Sequence, residues 1–246
     1  MIKNNCDYLF LHGWGFNHHI FESFVKGIKQ TNNVLTPCLY QLSREAGSSS
    51  FKAIANELKR RIENSTVVIG WSLGGLIATN LARISNRIEK LILISYAPRF
   101  VNTEKWKYVI SDKDYKELKY DFVNDPEKTL NTFLGIVCFG DTPYKTSKKR
   151  LQGYIANTIN KKILLSWLNE MAEEDQTELI TMLNMPKLFL YGENDALINP
   201  EVTSQFQRHI SSAQYEIIKN CGHAPFISCE NETKKIVNRF FNDKIS

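Results

Sequence analysis

Residues 66–78 read Thr-Val-Val-Ile-Gly-Trp-Ser-Leu-Gly-Gly-Leu-Ile-Ala. The first four residues are an apolar, largely β-branched run typical of a buried strand, and the residues from Leu76 onward are typical of an apolar helix. Between them, the pattern Gly-x-Ser-x-Gly predicts that Ser72 lies on a sharp strand-to-helix turn, with glycine where a side chain would meet neighbouring backbone. The Leu73 N–H, at the helix N-terminus, is then placed to stabilise an oxyanion. Without that context, the same pattern indicates only a glycine-containing turn.

The composition is that of an ordinary globular protein. The chain has 246 residues, of which 43% are hydrophobic and 23% charged, so one domain with an insertion is expected. Its apolar runs are too short to cross a bilayer, and residues 1–6 do not resemble a signal peptide, so we expect a cytoplasmic protein without membrane contacts. The five cysteines form no C-x-x-C pair, and a net charge of +5 is too small to indicate nucleic-acid binding. A monomer is expected.

Strand and helix patterns alternate along most of the chain, which predicts an α/β fold with a mostly parallel sheet. From Val101 to Asn184 the strand patterns disappear and helical spacing takes over. We therefore predict a core formed by residues 1–100 and 185–246, interrupted by a helical lid at 101–184. The predicted strands are Tyr8–Leu11, Val34–Leu42 (weakened by Pro37), Thr66–Ile69, Ile88–Tyr96, Lys187–Tyr191 and Tyr215–Ile218; the helices include Phe51–Ile62, Leu76–Ile84, Glu201–His209 and a C-terminal helix.

A serine nucleophile needs a histidine base and a carboxylate that orients it, and in elbow-type hydrolases these follow in the order serine, acid, histidine. His223 lies in a glycine-flanked loop after a late strand and is the predicted base; it is also compatible with a loop histidine that caps a helix. Asp195 follows the preceding strand and is the predicted acid, with Glu193 and Asp175 as competitors. The other four histidines have less suitable contexts: His12, His18, His19 and His209.

A second oxyanion donor is expected from the loop after the first strand. The sequence His12-Gly13-Trp14-Gly15 is placed for this role, with the Trp14 N–H as the donor. The Trp14 ring would line the pocket or, alternatively, only fill the core.

These motifs resemble the α/β-hydrolase superfamily. Together with Trp71 and the run His-Ala-Pro-Phe-Ile-Ser at 223–228, they resemble, within it, the esterases that hydrolyse the methyl ester of pimeloyl-acyl carrier protein in biotin synthesis. The resemblance implies a serine carboxylesterase without metal or cofactor, with Ser72, Asp195 and His223 as its triad and Trp14 and Leu73 as oxyanion donors. It also implies that a stretch of the lid contacts the substrate: Phe133, Leu134, Gly135, Ile136 and Val137.

The charges of the lid are polarised. Residues 142–162 contain basic side chains and no acidic ones, whereas 170–178 is acidic. Acyl carrier protein is strongly acidic, so a basic rim would attract it. We predict that it docks on Lys128, Lys145, Lys148, Lys149 and Arg150, although such a run is also typical of a solvated helix face.

Other functions remain open at this point. A general short-chain carboxylesterase or lipase would use the same triad without a carrier protein, and so would a perhydrolase or a carbon–carbon bond hydrolase. Halide or epoxide chemistry on this fold would require aspartate at position 72. A binding module that retained the fold without catalysis is a further alternative.

Overall fold

The computed structural model describes residues 7–26, 28, 33–104, 106–156, 160–210 and 213–242. Its strands are β1 (Asp7–Leu11), β2 (Val34–Leu35), β3 (Thr66–Trp71), β4 (Ile88–Ile94), β5 (Lys187–Gly192) and β6 (Ala213–Ile218). All neighbouring pairs are parallel, in the order β2-β1-β3-β4-β5-β6. Every residue of β1, β3 and β5 is buried, as expected for parallel strands covered on both faces. The predicted fold class, a mostly parallel sheet flanked by helices, is confirmed.

The described residues also form twelve α-helices. In chain order they are α1 (Glu22–Val25), α2 (Leu39–Glu45), α3 (Phe51–Arg61), α4 (Leu73–Ile84), α5 (Asp112–Asn124), α6 (Pro126–Val137), α7 (Tyr144–Gln152), α8 (Lys161–Glu173), α9 (Thr177–Met182), α10 (Thr203–Phe206), α11 (Pro225–Ser228) and α12 (Glu230–Asn242), in the described part of the chain. Short 3₁₀ helices span His18–Phe21, Pro200–Val202 and Gln207–His209.

The alternation of side chains along β1 shows how the helices cover the sheet. On one face, the Tyr8 ring lies 4.7 Å from the ring of Phe241 in α12. On the other face, Leu9 lines a crevice together with Leu58 of α3 and Ile62. The strand therefore packs between two helical layers.

Helices α5–α9 all come between β4 and β5. This is the position at which a helical lid was predicted, and we call them the lid helices. The division of the chain at residues 101 and 184 stays a prediction.

The predicted strand Val34–Leu42 is largely wrong. The strand stops at Leu35, because Pro37 lacks the N–H that would continue the ladder, and residues Leu39–Glu45 form a helix instead. Leu39, Tyr40, Leu42 and Ser43 are buried, and this spacing fits one face of a helix. The predicted helix Glu201–His209 is also divided, into a 3₁₀ turn, α10 and a second 3₁₀ turn.

The cysteines and the lengths of the helices bear on two of the expectations from the sequence. Cys38, Cys138, Cys221 and Cys229 are free thiols, while Cys6 lies outside the described residues. None of the helices just given combines the length and the apolar character needed to span a bilayer.

Candidate active site

Ser72 lies on a strained turn between β3 and α4. Its backbone has φ 54° and ψ −122°, a conformation that residues with a side chain rarely adopt. The flanking glycines leave no room for a Cβ atom: at Gly74 it would lie 2.1 Å from the Leu11 carbonyl oxygen, and at Gly70 it would lie 2.6 Å from the Gly74 carbonyl oxygen. The turn therefore requires glycine at both positions, as the sequence pattern predicts.

His223 and Asp195 form a buried pair. His223 Nδ1 lies 2.8 Å from Asp195 Oδ2 and 3.0 Å from Oδ1. Asp195 Oδ1 also accepts the backbone N–H groups of Leu197 (2.9 Å) and Ile198 (3.0 Å), which fix the carboxylate. Because a carboxylate only accepts, the imidazole proton is on Nδ1, and the lone pair of a neutral ring is on Nε2. This is the tautomer that a general base needs.

His223 and Ser72 line the same cavity. His223 Nε2 is buried and has no hydrogen-bond partner in the part of the chain that the structure describes. The cavity is small, about 20 Å³, enough for about one water molecule. Apart from Ser72 and His223, it is lined by Trp14, Phe100, Ile110, Leu118, Phe133, Leu168, Met171 and Leu197. These apolar walls suit a hydrocarbon chain, which can enter only when some of them move.

The two predicted oxyanion donors lie at the ends of adjacent strands. Trp14 follows β1, and Leu73 is the first residue of α4, where the helix dipole favours negative charge. Neither backbone N–H has an acceptor among the described residues. The Trp14 ring is almost fully buried, lines the cavity and donates its Nε1–H to the Leu164 carbonyl oxygen of α8 at 2.8 Å. Both interpretations of this ring, pocket wall and core residue, therefore apply.

Trp71, the last residue of β3, supports the histidine loop. Its Nε1–H donates to the His223 carbonyl oxygen at 2.8 Å. The ring lies 5.1 Å from that of Phe16 and 5.2 Å from that of Phe226, centroid to centroid. Sequence patterns do not predict this contact, since 152 positions separate the two residues.

The competing acids and histidines lie elsewhere. Glu193 accepts the Asn220 N–H at 3.3 Å, and Asp175 lies 3.6 Å from Arg99, so neither is the partner of His223. His19 pairs with Glu22, and nothing is described of the His209 side chain.

His12 is a buried structural residue beside the oxyanion loop. Its Nδ1 lies 3.0 Å from the Gly13 carbonyl oxygen, and its Nε2 accepts the Leu39 N–H at 3.3 Å. Burial lowers its pKa to about 4, so it is neutral at pH 7.

The lid stretch predicted to contact substrate reaches the cavity at Ser72 at one position. Phe133 lines the cavity, whereas the other four residues of the stretch are not on its wall. Val137 is turned towards the histidine loop, where its carbonyl oxygen accepts the His223 N–H at 3.2 Å. Ile136 lines a separate groove of about 430 Å³ between α5 and α6. Leu134, Gly135, Ile136 and Val137 do not line the cavity, because successive residues of a helix point in different directions, and their contact with substrate stays a prediction.

The basic residues predicted to dock a carrier protein fall into two groups. Lys145 and Lys149 are exposed on α7, and Lys148 lies over the Tyr144 ring at 5.7 Å. In contrast, Arg150 is already paired with Glu230 and with the Ile227 carbonyl oxygen, which ties α7 to the core.

Lys128 lies apart from these residues, in the groove between α5 and α6, and its role in docking stays a prediction. The acidic residues that line the same groove are Asp114, Glu117, Asp121 and Asp125. A basic rim at this point is not what the structure shows.

Comparison with known proteins gives a consistent picture. Residues 43–228 match the family model described as alpha/beta hydrolase fold. The chain is 28% identical over 242 residues to the pimeloyl-[acyl-carrier protein] methyl ester esterase of Aliivibrio salmonicida, covering 95% of this chain and 91% of that protein. It is 29% identical to the biotin biosynthesis bifunctional protein BioHC of Teredinibacter turnerae, covering 98% of this chain but only 45% of that longer protein. Among solved structures, an esterase from Exiguobacterium antarcticum is similar with a TM-score of 0.77 at 17% identity, covering 97% of this chain and 92% of that one.

Proposed function

The chain belongs to the α/β-hydrolase fold family, and we propose that it is a serine esterase that hydrolyses the methyl ester of pimeloyl-acyl carrier protein. One observation carries the catalytic part of the proposal. His223, held by Asp195 at 2.8 Å, has an unpartnered Nε2 and lines the same apolar cavity as Ser72. A base without a partner beside a strained serine is the arrangement that acyl transfer requires.

The reaction follows from this geometry in two steps. His223 Nε2 takes the Ser72 hydroxyl proton while the oxygen attacks the ester carbonyl, and the Trp14 and Leu73 N–H groups stabilise the oxyanion. When the intermediate collapses, His223 returns the proton to methoxide and methanol leaves. A water molecule, deprotonated by His223, then attacks the acyl-serine; the acid leaves and Ser72 regains its proton. Asp195 stabilises the imidazolium that forms in each step.

The substrate part of the proposal has separate support. Relatives matched along nearly the whole chain are named for pimeloyl-[acyl-carrier protein] methyl ester, and the cavity wall is suited to an aliphatic chain. Besides its exposed lysines, α7 carries the exposed Tyr144 ring beneath Lys148, and the exposed Ile136 and Phe139 precede this helix in the chain. A surface of this kind suits an acidic partner that also buries apolar groups.

Complementation tests the biological role. A biotin-requiring strain that lacks its own esterase should grow without biotin when it carries this chain, and should fail with the Ser72→Ala variant. Growth with both the original chain and Ser72→Ala would overturn the assignment of the nucleophile. Growth with neither protein would overturn the role in biotin synthesis.

Charge reversal tests the carrier protein as partner. The double variant Lys145→Glu/Lys149→Glu should lose activity on the carrier-bound methyl ester but not on free methyl pimelate. The control is Lys59→Glu/Lys113→Glu, which reverses two exposed lysines on α3 and α5 with the same change in net charge. Equal effects of the two double variants would contradict docking on α7.

A general short-chain carboxylesterase is the second candidate, favoured by the acidic groove at Lys128, which does not suit an acidic partner. It would hydrolyse free and carrier-bound esters alike, and neither double variant would change this. A binding module without catalysis would leave Ser72 unlabelled by a fluorophosphonate probe.

A further inference from the structure

The turn between α6 and α7, residues 138–143, lies against both loops that carry the candidate base and acid. Thr142 N–H donates to the Asn220 carbonyl oxygen at 3.0 Å, and the Asn194 side-chain amide donates to the Gly140 carbonyl oxygen at 3.3 Å. Directly before the turn, the Val137 carbonyl oxygen accepts the His223 N–H at 3.2 Å. The lid thus makes backbone contacts with the residues before and at His223 and with the residue before Asp195.

The shortest of these contacts comes from a buried carboxylate. Asp141 is only 5% exposed, and its Oδ1 accepts the Gly222 N–H at 2.7 Å, one residue before His223. The fit at Gly222 is tight, because a Cβ there would lie 2.2 Å from the Phe139 carbonyl oxygen. The backbone that carries the imidazole is therefore fixed by a side chain of the lid.

The carboxyl group of Asp141 lies in a closed, polar environment. Burial raises the pKa of this carboxyl group above its usual value, although the Gly222 N–H and the hydroxyl groups of Ser228 and Ser147 act in the opposite direction. Its second oxygen, Oδ2, makes no hydrogen bond with the described residues. It is also not on the wall of the cavity at Ser72.

We infer that Asp141 is a positioning residue: it holds the His223 loop through the Gly222 N–H, so that the imidazole stays directed towards Ser72. The inference rests on the proposed esterase activity, since it assigns His223 as the base. Loss of the acceptor leaves a buried N–H unpaired and lets the loop move away from the lid, and small displacements of a catalytic group reduce turnover strongly.

The test compares Asp141→Ala, Asp141→Asn and a matched control. Asparagine keeps an acceptor oxygen, whereas alanine removes it. The control is Glu170→Ala: Glu170 is also a lid carboxylate with a raised pKa, about 7 through burial, and it accepts a core N–H, that of Phe51 at 2.9 Å, away from the catalytic loops. All variants are assayed in the full chain with p-nitrophenyl butyrate, and their melting temperatures are measured.

We expect Asp141→Ala to lower kcat at least about tenfold with KM within about twofold, and Asp141→Asn to restore kcat to within about threefold of the original chain. Glu170→Ala should lower the melting temperature without lowering kcat. The inference is overturned if Asp141→Ala keeps its kcat, if asparagine is as damaging as alanine, or if Glu170→Ala lowers kcat equally. If the alanine variant does not fold, Asp141→Ser, whose hydroxyl is too short to replace the contact, takes its place with the same criteria.

A second readout does not depend on activity. Hydrogen exchange of the Gly222 amide, measured by NMR, should become much faster in Asp141→Ala and stay slow in Asp141→Asn and Glu170→Ala. If the original chain fails to hydrolyse esters, the proposed function fails, while this measurement still shows whether Asp141 fixes the loop. Unchanged exchange at Gly222 would overturn the inference even in an active esterase.

Discussion

Replacing Ser72 by glycine should make the protein more stable than replacing it by alanine, although both changes abolish activity. At φ 54° and ψ −122°, any residue with a Cβ is strained, and alanine keeps this strain while glycine releases it. Both variants lack the hydroxyl group, so the difference between them isolates the backbone contribution.

The magnitude follows from two opposing effects. A residue in such a sparsely populated conformation costs about 1–3 kcal/mol, and glycine loses about 0.5–1 kcal/mol through the greater entropy of its unfolded chain. We therefore expect Ser72→Gly to exceed Ser72→Ala by about 1 kcal/mol in free energy of unfolding. For a chain of 246 residues this corresponds to about 2–4 °C in melting temperature.

Calorimetry on both variants provides the measurement, and Ser85 provides the control. Ser85 is also buried, at the end of α4, but its φ of −126° and ψ of 119° suit any residue. There glycine should be less stable than alanine by about 0.5–1 kcal/mol, the opposite sign. A Ser72→Gly variant that melts at or below Ser72→Ala would refute the claim that strain is stored at the serine.

Three further predictions concern the acid, the cavity wall and pH. Asp195→Asn should lower kcat by about 10³–10⁴, because an amide cannot stabilise the His223 imidazolium; a loss below tenfold in the p-nitrophenyl butyrate assay would contradict the assignment. Phe133 and Leu118 line both the cavity and the α5–α6 groove and separate the two. The variant Phe133→Ala should therefore lower KM for p-nitrophenyl octanoate relative to KM for p-nitrophenyl butyrate. An unchanged ratio of these two KM values would argue against a wall at this position. His12 has its pKa lowered to about 4 by burial, so the unfolded chain binds the proton first, and stability should fall as pH drops from about 6.5 towards 4. Urea titrations at several pH values should show a shallower fall for His12→Gln, and parallel curves would contradict this.

The sequence predicted the centre of the fold better than its margins. β3 is a nearly continuous apolar run, and β4 contains one from Leu91 to Ile94; such patterns do not depend on distant contacts, and the strands lie where the runs are. The segment after β2 was predicted wrongly because its apolar residues fit a strand and a helix alike. Pro37 resolved the ambiguity in the folded chain, since it ends the ladder and leaves the following residues free to form α2.

The candidate site, too, could be predicted only where the sequence pattern is local. Ser72, Asp195 and His223 could be singled out because their order and the glycines around them form a local pattern, and the structure brings His223 to Asp195 and to the cavity at Ser72. The contacts that Asp141 and Trp71 make with the histidine loop could not be predicted, because they join residues 81 and 152 positions apart along the chain. Nothing in the spacing of the sequence records such pairs.

The contacts of the lid also restrict how substrate can reach Ser72. The cavity holds about one water molecule, so its walls must move before an acyl chain enters. The C-terminal end of α6 is tied to the catalytic loops through Val137 and Asp141, and moving it would displace the base that the reaction needs. Opening is therefore expected on the other side of the lid, at Leu118 and Phe133, which separate the cavity from the α5–α6 groove. Variants on that side should change KM, whereas variants in the α6–α7 turn should change kcat. If variants on both sides changed KM and kcat alike, the lid would move as one body.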